Sequence, residues 1–329
     1  MVRSDILGIG TTVPERVLTN VDLEKMVDTS DEWITARTGI RERRIIDDNE
    51  NASDLAARAA RGAIADAGLS LEEIDLVLVA TGSPEMIWPA TACLVQEKLG
   101  LEGRPAFDIQ AACTGFVYGL AVADAMIAAG LYRCVLFVGT EAITRFLDWT
   151  DRGTCILFGD GAGAVVLGPA EEGYGLLAHH LAADGSGADM LKIPVGGSAV
   201  GCGQGPQAIK MRGNEVYRFA VEKLPAAISG ALDQAGLTVA DVDFCIPHQA
   251  NKRIIDAAVE RLGLPREKVV GNLEQYGNTS TASIPLALEE LIRSGGLNRG
   301  DLLVTAAVGA GLTWGANVIR WSGAAGRAD

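Results

Sequence analysis

Cys113 stands where a short apolar run, "PAFDIQAA", gives way to a long Ala-rich stretch with helical spacing, "TGFVYGLAVADAMIAAG". A thiol at a helix start sits against the positive end of the helix dipole, which favours thiolate and predicts a nucleophile. A nucleophilic cysteine needs a histidine to exchange its proton with, and the chain has three. His179 and His180 are adjacent in the strand-like run "GLLAHHLAADG", so they point to opposite faces and make a poor joint site. His248, in "PHQANKRIID", lies just before a predicted helix, with Gln249 and Asn251 able to orient it.

The elements that must position these residues are visible as an internal repeat. "ADAGLSLEEIDLVLVATG" begins at Ala65 and "DQAGLTVADVDFCIPHQ" at Asp233; Ala67-Gly68-Leu69 recurs as Ala235-Gly236-Leu237, and Asp75 as Asp243. Each segment reads as a helix end, a Gly cap, a loop and a buried strand. The same offset of 168 pairs "CVLFVGTEA" at Cys134 with "LLVTAAVGA" at Leu302. A period that long is not a solenoid repeat. It predicts two copies of one α/β unit, residues 1–170 and 171–329. The counterpart of Cys113 then falls at 278–281 in "YGNTSTASIPLALEELIRSGG", which puts Asn278 at a second helix start. His248 corresponds to Ala80 at the end of "DLVLVA", and strand ends are where open α/β sheets build their sites.

Composition bounds the function. The 329 residues are 48% hydrophobic with 40 glycines and 5% aromatics, which suits a tightly packed α/β protein. A net charge of −14 disfavours a nucleic-acid partner. No apolar run approaches the roughly 20 residues of a membrane span, and "MVRSDILGIG" does not read as a signal peptide. The six cysteines, at 93, 113, 134, 155, 202 and 245, include no CxxC pair, so neither a zinc site nor a disulfide framework is expected. Free thiols suit the cytoplasm. "FGDGAGAVVLG" reads as a strand entering a turn, not as a nucleotide loop. "GCGQGP" at 201–206 reads as a mobile loop. Gly309-Ala310-Gly311 follows a strand and is placed to offer backbone N–H groups to an oxyanion.

With these residues in view, the sequence resembles β-ketoacyl-acyl carrier protein synthase III, a family of thiolase-fold condensing enzymes. The resemblance covers nearly the whole chain, and its most specific pieces are "AACTGFVYGL", "DRGTCILFGDGAGAVVL", "PHQANKRII" and "YGNTSTASIPLAL". It implies an α/β fold of two duplicated halves in α-β-α-β-α layers. It also implies a decarboxylative Claisen condensation of a short acyl-CoA with malonyl-acyl carrier protein, initiating fatty acid synthesis without metal, nicotinamide or flavin. The family's catalytic set falls on Cys113, His248 and Asn278, and its oxyanion hole on the backbone amides of Cys113 and Ala310. Many relatives have three glycines where this chain reads Gly309-Ala310-Gly311. The coenzyme A tunnel falls on Trp33, Arg37, Arg152, Asn251 and Arg253. Trp88, in "PEMIWPATA", holds a position that closes the acyl pocket from the partner subunit of a homodimer. An indole there implies a short primer. Arg212, Arg218, Lys252, Arg253 and Arg261 would form a basic patch for the acidic carrier protein. The tail "SGAAGRAD" is expected to be disordered. Three other readings stay open: acyl transfer to oxygen or nitrogen, a condensing enzyme of secondary metabolism, and a catalytically silent partner subunit. A thiolase is disfavoured, because no second cysteine follows the C-terminal motifs.

Overall fold

The computed structural model describes residues 3–199 and 207–325. Cys202, the run at 201–206 and the last four residues of the tail lie outside them. In chain order the first half forms β1 (Ser4–Thr12), β2 (Val17–Thr19), α1 (Asn20–Leu23), α2 (Asp31–Thr38), β3 (Glu42–Arg44) and α3 (Ala52–Asp66). It continues with β4 (Leu76–Ala80), α4 (Thr91–Leu99), β5 (Ala106–Ile109), α5 (Gly115–Ala128), β6 (Val135–Glu141) and β7 (Gly161–Pro169). The second half forms β8 (Gly175–Ala183), β9 (Leu191–Lys192), β10 (Lys210–Met211), α6 (Gly213–Ala235) and β11 (Phe244–Pro247). Then come α7 (Lys252–Leu262), α8 (Leu273–Tyr276), α9 (Ser283–Arg293), β12 (Leu302–Gly309) and β13 (Thr313–Arg320).

Two sheets carry the fold, ordered β1-β7-β6-β4-β5 and β8-β13-β12-β11. In the first, β4 and β6 are parallel, β7 is antiparallel to β6, and β1 is antiparallel to β7. In the second, β11 and β12 are parallel, followed by antiparallel β13 and β8. The counterpart of β5 is reduced to one parallel bridge, Cys245 to Val269. The duplication read from the 168-residue offset is therefore a duplication of topology. Gly68 and Gly236, one in each copy of the repeated phrase, both adopt positive φ (66° and 70°), as a helix-terminating glycine should.

The layers follow from which faces are apolar. Helices α5 and α9 lie between the sheets: Phe116, Leu120, Ile284 and Leu288 share one core with Leu78 and Phe137 of the first sheet and Ile246 and Leu303 of the second. A helix packed on both sides must be apolar nearly all round, as "GFVYGLAVADAMIA" is. The contact is close. A Cβ at Gly119 would stand 2.0 Å from the Phe137 ring. Helices α3 and α4 cover the outer face of the first sheet, and α6 and α7 that of the second. Because both faces of the sheets are covered, β4 is buried at every residue and reads as an unbroken apolar run.

The tail departs from expectation as far as it is described. Ser322 and Ala325 are buried, the Ser322 hydroxyl donates to the Asp5 carboxylate, and Ala325 joins the central core. A small residue that completes a core and a hydroxyl that satisfies a buried carboxylate both hold chain that composition alone marks as loose. Among the described residues, no helix is long and apolar enough to cross a membrane.

Candidate active site

Cys113 sits in a tight turn, residues 112–114, between β5 and the first residue of α5. Ala112 before it has φ 47°, and Ser280, 168 residues later, has the same value; these are the two non-glycine positive-φ residues among those described. Each precedes a turn that runs straight into a central helix, at Gly115 and at Ser283. The duplicate of Cys113 is therefore Thr281, not Asn278. A left-handed non-glycine residue costs on the order of 1–3 kcal/mol and persists only where the surrounding structure fixes it. Thr281 ties the two turns together, its hydroxyl lying 3.1 Å from the Ala112 carbonyl and 2.9 Å from Glu141 Oε1.

The protonation of Cys113 is a correction. The helix start predicted an easily formed thiolate, yet burial pushes the thiol up to about 12, opposed by a Ser280 hydrogen bond and reinforced by the Glu141 charge. Desolvation outweighs the dipole because the sulfur is almost wholly enclosed, 7% exposed, whereas the dipole acts from backbone amides. Glu141 ends β6 fully buried, accepting from Gly82 N–H, Ser83 Oγ (2.5 Å) and Thr281 Oγ1. Burial raises its pKa too.

His248 follows β11, its backbone N–H donating to Ala306 O (2.7 Å) on the neighbouring strand. It is buried, and burial lowers its pKa to about 3, so the ring is neutral at pH 7. Its Nδ1 lies 2.6 Å from Ser283 Oγ at the start of α9. Asn278 is held by its backbone in a parallel bridge with Phe158, donating to Leu157 O (2.8 Å) and accepting from Gly159 N–H (3.0 Å). Its Oδ1 accepts from Ser280 N–H at 2.9 Å, which leaves the amide Nδ2 as the free end of the side chain.

These three residues come from three separate segments, and one cavity of about 340 Å³ collects them. Its apolar wall is Leu157, Phe158, Leu191, Phe219, Leu224 and Leu312, and its outer part includes Trp33, Arg37, Asn251 and Arg253. Gly309 borders it where a Cβ would stand 3.0 Å from both the Cys113 and Thr114 nitrogens, so glycine keeps the space before those amides open. Ala310 is not on the wall; its carbonyl accepts from Thr313 Oγ1 (3.1 Å), and the positive φ of that turn falls on Gly311. Alanine is therefore tolerated at 310.

The expected tunnel residues assemble around one indole. The Arg37 and Arg152 guanidinium carbons lie 5.9 and 5.1 Å from the Trp33 ring centroid. Arg152 itself does not line the cavity, but Gly153 beside it does. Asn251 has a structural task as well, capping α7 by accepting from Arg253 N–H (2.9 Å) while donating to Arg37 O (3.2 Å). The basic patch is weaker than the sequence implied. Lys252 is paired with Asp256 (2.5 Å), Arg212 with Glu215 (3.5 Å), and Arg261 donates to the Val221 carbonyl. Arg218 is exposed, and Arg253 is exposed at the mouth over the Tyr217 ring.

Trp88 does not line the cavity of its own chain. It is 87% exposed, next to Met86 (47%) and Ile87 (63%). Sequence reasoning also passed over Glu141, Ser280, Thr281 and Ser283. Glu141 had a signal, a carboxylate closing the apolar run "CVLFVGTE"; the hydroxyls stood in the quoted "NTSTAS" but had no partners in sequence. His179 and His180 do face apart: His179 meets Asn317 (2.9 Å) and Asp124 (3.1 Å), and His180 packs on Gly230 of α6.

Two family models match the chain: 3-oxoacyl-[acyl-carrier-protein (ACP)] synthase III over residues 107–185, and its C-terminal counterpart over residues 232–321. The β-ketoacyl-[acyl-carrier-protein] synthase III of Desulfitobacterium hafniense DCB-2 is 54% identical over 327 residues, 98% of this chain and 99% of that protein. The protein of the same name from Caldanaerobacter subterraneus is 50% identical over 326 residues, 98% of each chain. The solved 3-oxoacyl-[acyl-carrier-protein] synthase III of Aquifex aeolicus superposes with a TM-score of 0.91 at 47% identity, covering 97% of this chain and 100% of that one.

Proposed function

This chain belongs to the β-ketoacyl-[acyl-carrier-protein] synthase III family, and from that premise we propose that Cys113, His248 and Asn278 carry the chemistry of its condensation. The reaction joins an acyl-CoA to malonyl-acyl carrier protein and initiates fatty acid synthesis. The observation that carries the residue assignment is the single cavity into which three distant segments deliver a thiol, an imidazole and a free amide N–H. The Cys113 sulfur attacks the thioester as its proton moves to His248, and the tetrahedral oxyanion is held by the Cys113 amide. The Ala310 amide, in the turn between the wall residues Gly309 and Leu312, would have to reach that oxygen as the second donor. After coenzyme A departs, malonyl-acyl carrier protein enters, and loss of CO₂ leaves an enolate that His248 and Asn278 stabilise. Attack of the enolate carbon on the acyl-Cys113 carbonyl gives the β-ketoacyl product and returns the thiolate. Nucleophile and oxyanion donors suffice for each step, so no resident cofactor is invoked.

Purified protein given acetyl-CoA and malonyl-acyl carrier protein should release CO₂ and form the β-ketoacyl-carrier product in equal amounts. Acyl transfer to an oxygen or nitrogen acceptor without CO₂ release would overturn the condensing assignment. The free thiols at 93, 113, 134, 155 and 245 fit a cytoplasmic protein.

The exposed Met86-Ile87-Trp88 run supports a homodimer, since three adjacent large apolar side chains left in water are the usual mark of an interface. In that dimer the Trp88 indole would close the partner's acyl pocket. Acetyl-CoA should then be preferred over octanoyl-CoA, and Trp88→Ala should narrow that preference. Each excluded methylene is worth about 1–3 kcal/mol, so kcat/KM ratios read the effect directly. A parent enzyme that prefers octanoyl-CoA has its pocket closed by something else.

The carrier protein should dock on Arg253 at the mouth and on the exposed Arg218 of α6. Arg218 lies outside the cavity wall, so Arg218→Glu separates docking from the acyl-CoA half-reaction. KM for malonyl-acyl carrier protein should rise by about 10-fold, and added salt should weaken the parent in the same direction. Acylation by acetyl-CoA should be unchanged. Insensitivity of the carrier KM to both salt and charge reversal would remove this docking surface.

A further inference from the structure

Ser283, the first residue of α9, is buried to 1% exposure, and its hydroxyl meets three groups at once. It donates to the Ser280 carbonyl at 2.9 Å and accepts from Gln249 N–H at 3.3 Å, while His248 Nδ1 lies 2.6 Å away. A serine hydroxyl has one proton and two lone pairs. With the proton directed at Ser280 and one lone pair taken by Gln249, only a lone pair remains for His248. A lone pair can face Nδ1 only if Nδ1 carries the proton. We infer that Ser283 is the positioning residue that holds His248 as its Nδ1–H tautomer, so that Nε2 is the one ring atom that gains and loses a proton during the reaction.

The consequence rests on the condensing reading above. Before substrate binds, Nε2 presents a lone pair, and no hydrogen bond to it exists among the described residues. During acylation the Cys113 S–H bond breaks and an Nε2–H bond forms, while the sulfur displaces the coenzyme A thiolate from the acyl carbon. That thiolate takes its proton from water. In the second half-reaction Nε2–H is the donor to the enolate oxygen, and an anionic malonyl group supplies the counter-charge that a buried imidazolium lacks before substrate binds. When the β-ketoacyl product leaves, Nε2 returns its proton to the Cys113 sulfur. His248 thus alternates between neutral and charged forms and never exchanges one neutral tautomer for the other. The buried Nδ1–H stays on Ser283 throughout. Without that acceptor the neutral ring would favour Nε2–H, which still donates to an enolate but cannot take a proton from the thiol.

With only three histidines, the ring nitrogens can be read one by one by ¹⁵N NMR of histidine-labelled protein. In the substrate-free parent, His248 should show a protonated Nδ1 and an unprotonated Nε2. Ser283→Ala should shift the population toward Nε2–H, and Ser283→Thr, which keeps the hydroxyl, should restore the parent pattern. Kinetically, Ser283→Ala should slow acylation of Cys113 by about 10-fold and malonyl decarboxylation by less. A parent ring with its proton on Nε2 overturns the inference without any variant being needed. The same tautomer in parent and Ser283→Ala, or equal losses in both half-reactions, would mean that Ser283 only braces the turn. The tautomer is read without substrate, so this outcome is independent of whether the condensing assignment holds.

Discussion

Replacing Cys113 with alanine should abolish condensation, by about 10⁴-fold or more, the scale seen when a nucleophile is removed from an otherwise intact site. Alanine fills less space than cysteine but leaves the turn and its backbone amides in place, so folding should be little changed. Incubation of the parent with acetyl-CoA should add one acetyl group, recovered by mass spectrometry on the peptide that carries Cys113. Four other described cysteines are also free, and Cys134, Cys155 and Cys245 are buried away from the cavity while Cys93 is exposed. Acetyl found on any of them, or a Cys113→Ala enzyme that still condenses, would refute the assignment. The pH dependence adds a second check. Because burial holds the thiol up at about 12 and the imidazole down at about 3, the two groups form a neutral pair at pH 7 before substrate binds. Alkylation of Cys113 by iodoacetamide should therefore keep rising as pH is raised from 6 to 9. A plateau already reached at pH 6 would mean a standing thiolate–imidazolium pair.

The second large effect is expected in the decarboxylating half-reaction. Asn278 has its Oδ1 tied to Ser280 N–H, and His248 has its Nδ1 tied to Ser283, so the remaining nitrogen of each side chain is the end available to the cavity. Both residues line the one cavity, so an enolate oxygen bound there is expected to accept from those two nitrogens. Removing one such donor costs about 10²–10³-fold in rate, so His248→Ala and Asn278→Ala should each slow CO₂ release from malonyl-acyl carrier protein by that factor. The double variant should lose less than the product of the two, since neither donor acts fully without the other. Acyl loading should suffer less in both. Asn278→Ala should barely alter it, whereas His248→Ala, which removes the proton acceptor, should slow it measurably. Losses of equal size in both half-reactions for both variants would instead mean that these residues shape the cavity.

The sequence by itself determined the architecture and singled out the three residues that one cavity collects. The 168-residue offset is written in local features (a glycine cap, an apolar strand, a turn), each of which depends on neighbours a few residues away, and so it survives as text. It placed His248 at a strand end and Cys113 at a helix start without any knowledge of packing. The tertiary structure decided what those residues are in chemical terms. Whether the Cys113 thiol is ionised depends on how completely the fold encloses it, and burial reversed the sign that the helix start alone suggested. The offset narrows the counterpart of Cys113 to 278–281, and the matching backbone angles, +47° at Ala112 and at Ser280, fix it as Thr281 rather than Asn278. Glu141, Thr281 and Ser283 act through hydrogen bonds to partners 35 to 169 residues away. Trp88 stands exposed and outside the lining of its own cavity, a fact of the loop's path and not of its composition. Local sequence encodes periodicity, caps and turns. Protonation, orientation and contact across the two halves are set by which distant groups the fold brings within 3 Å and by how much water it leaves between them.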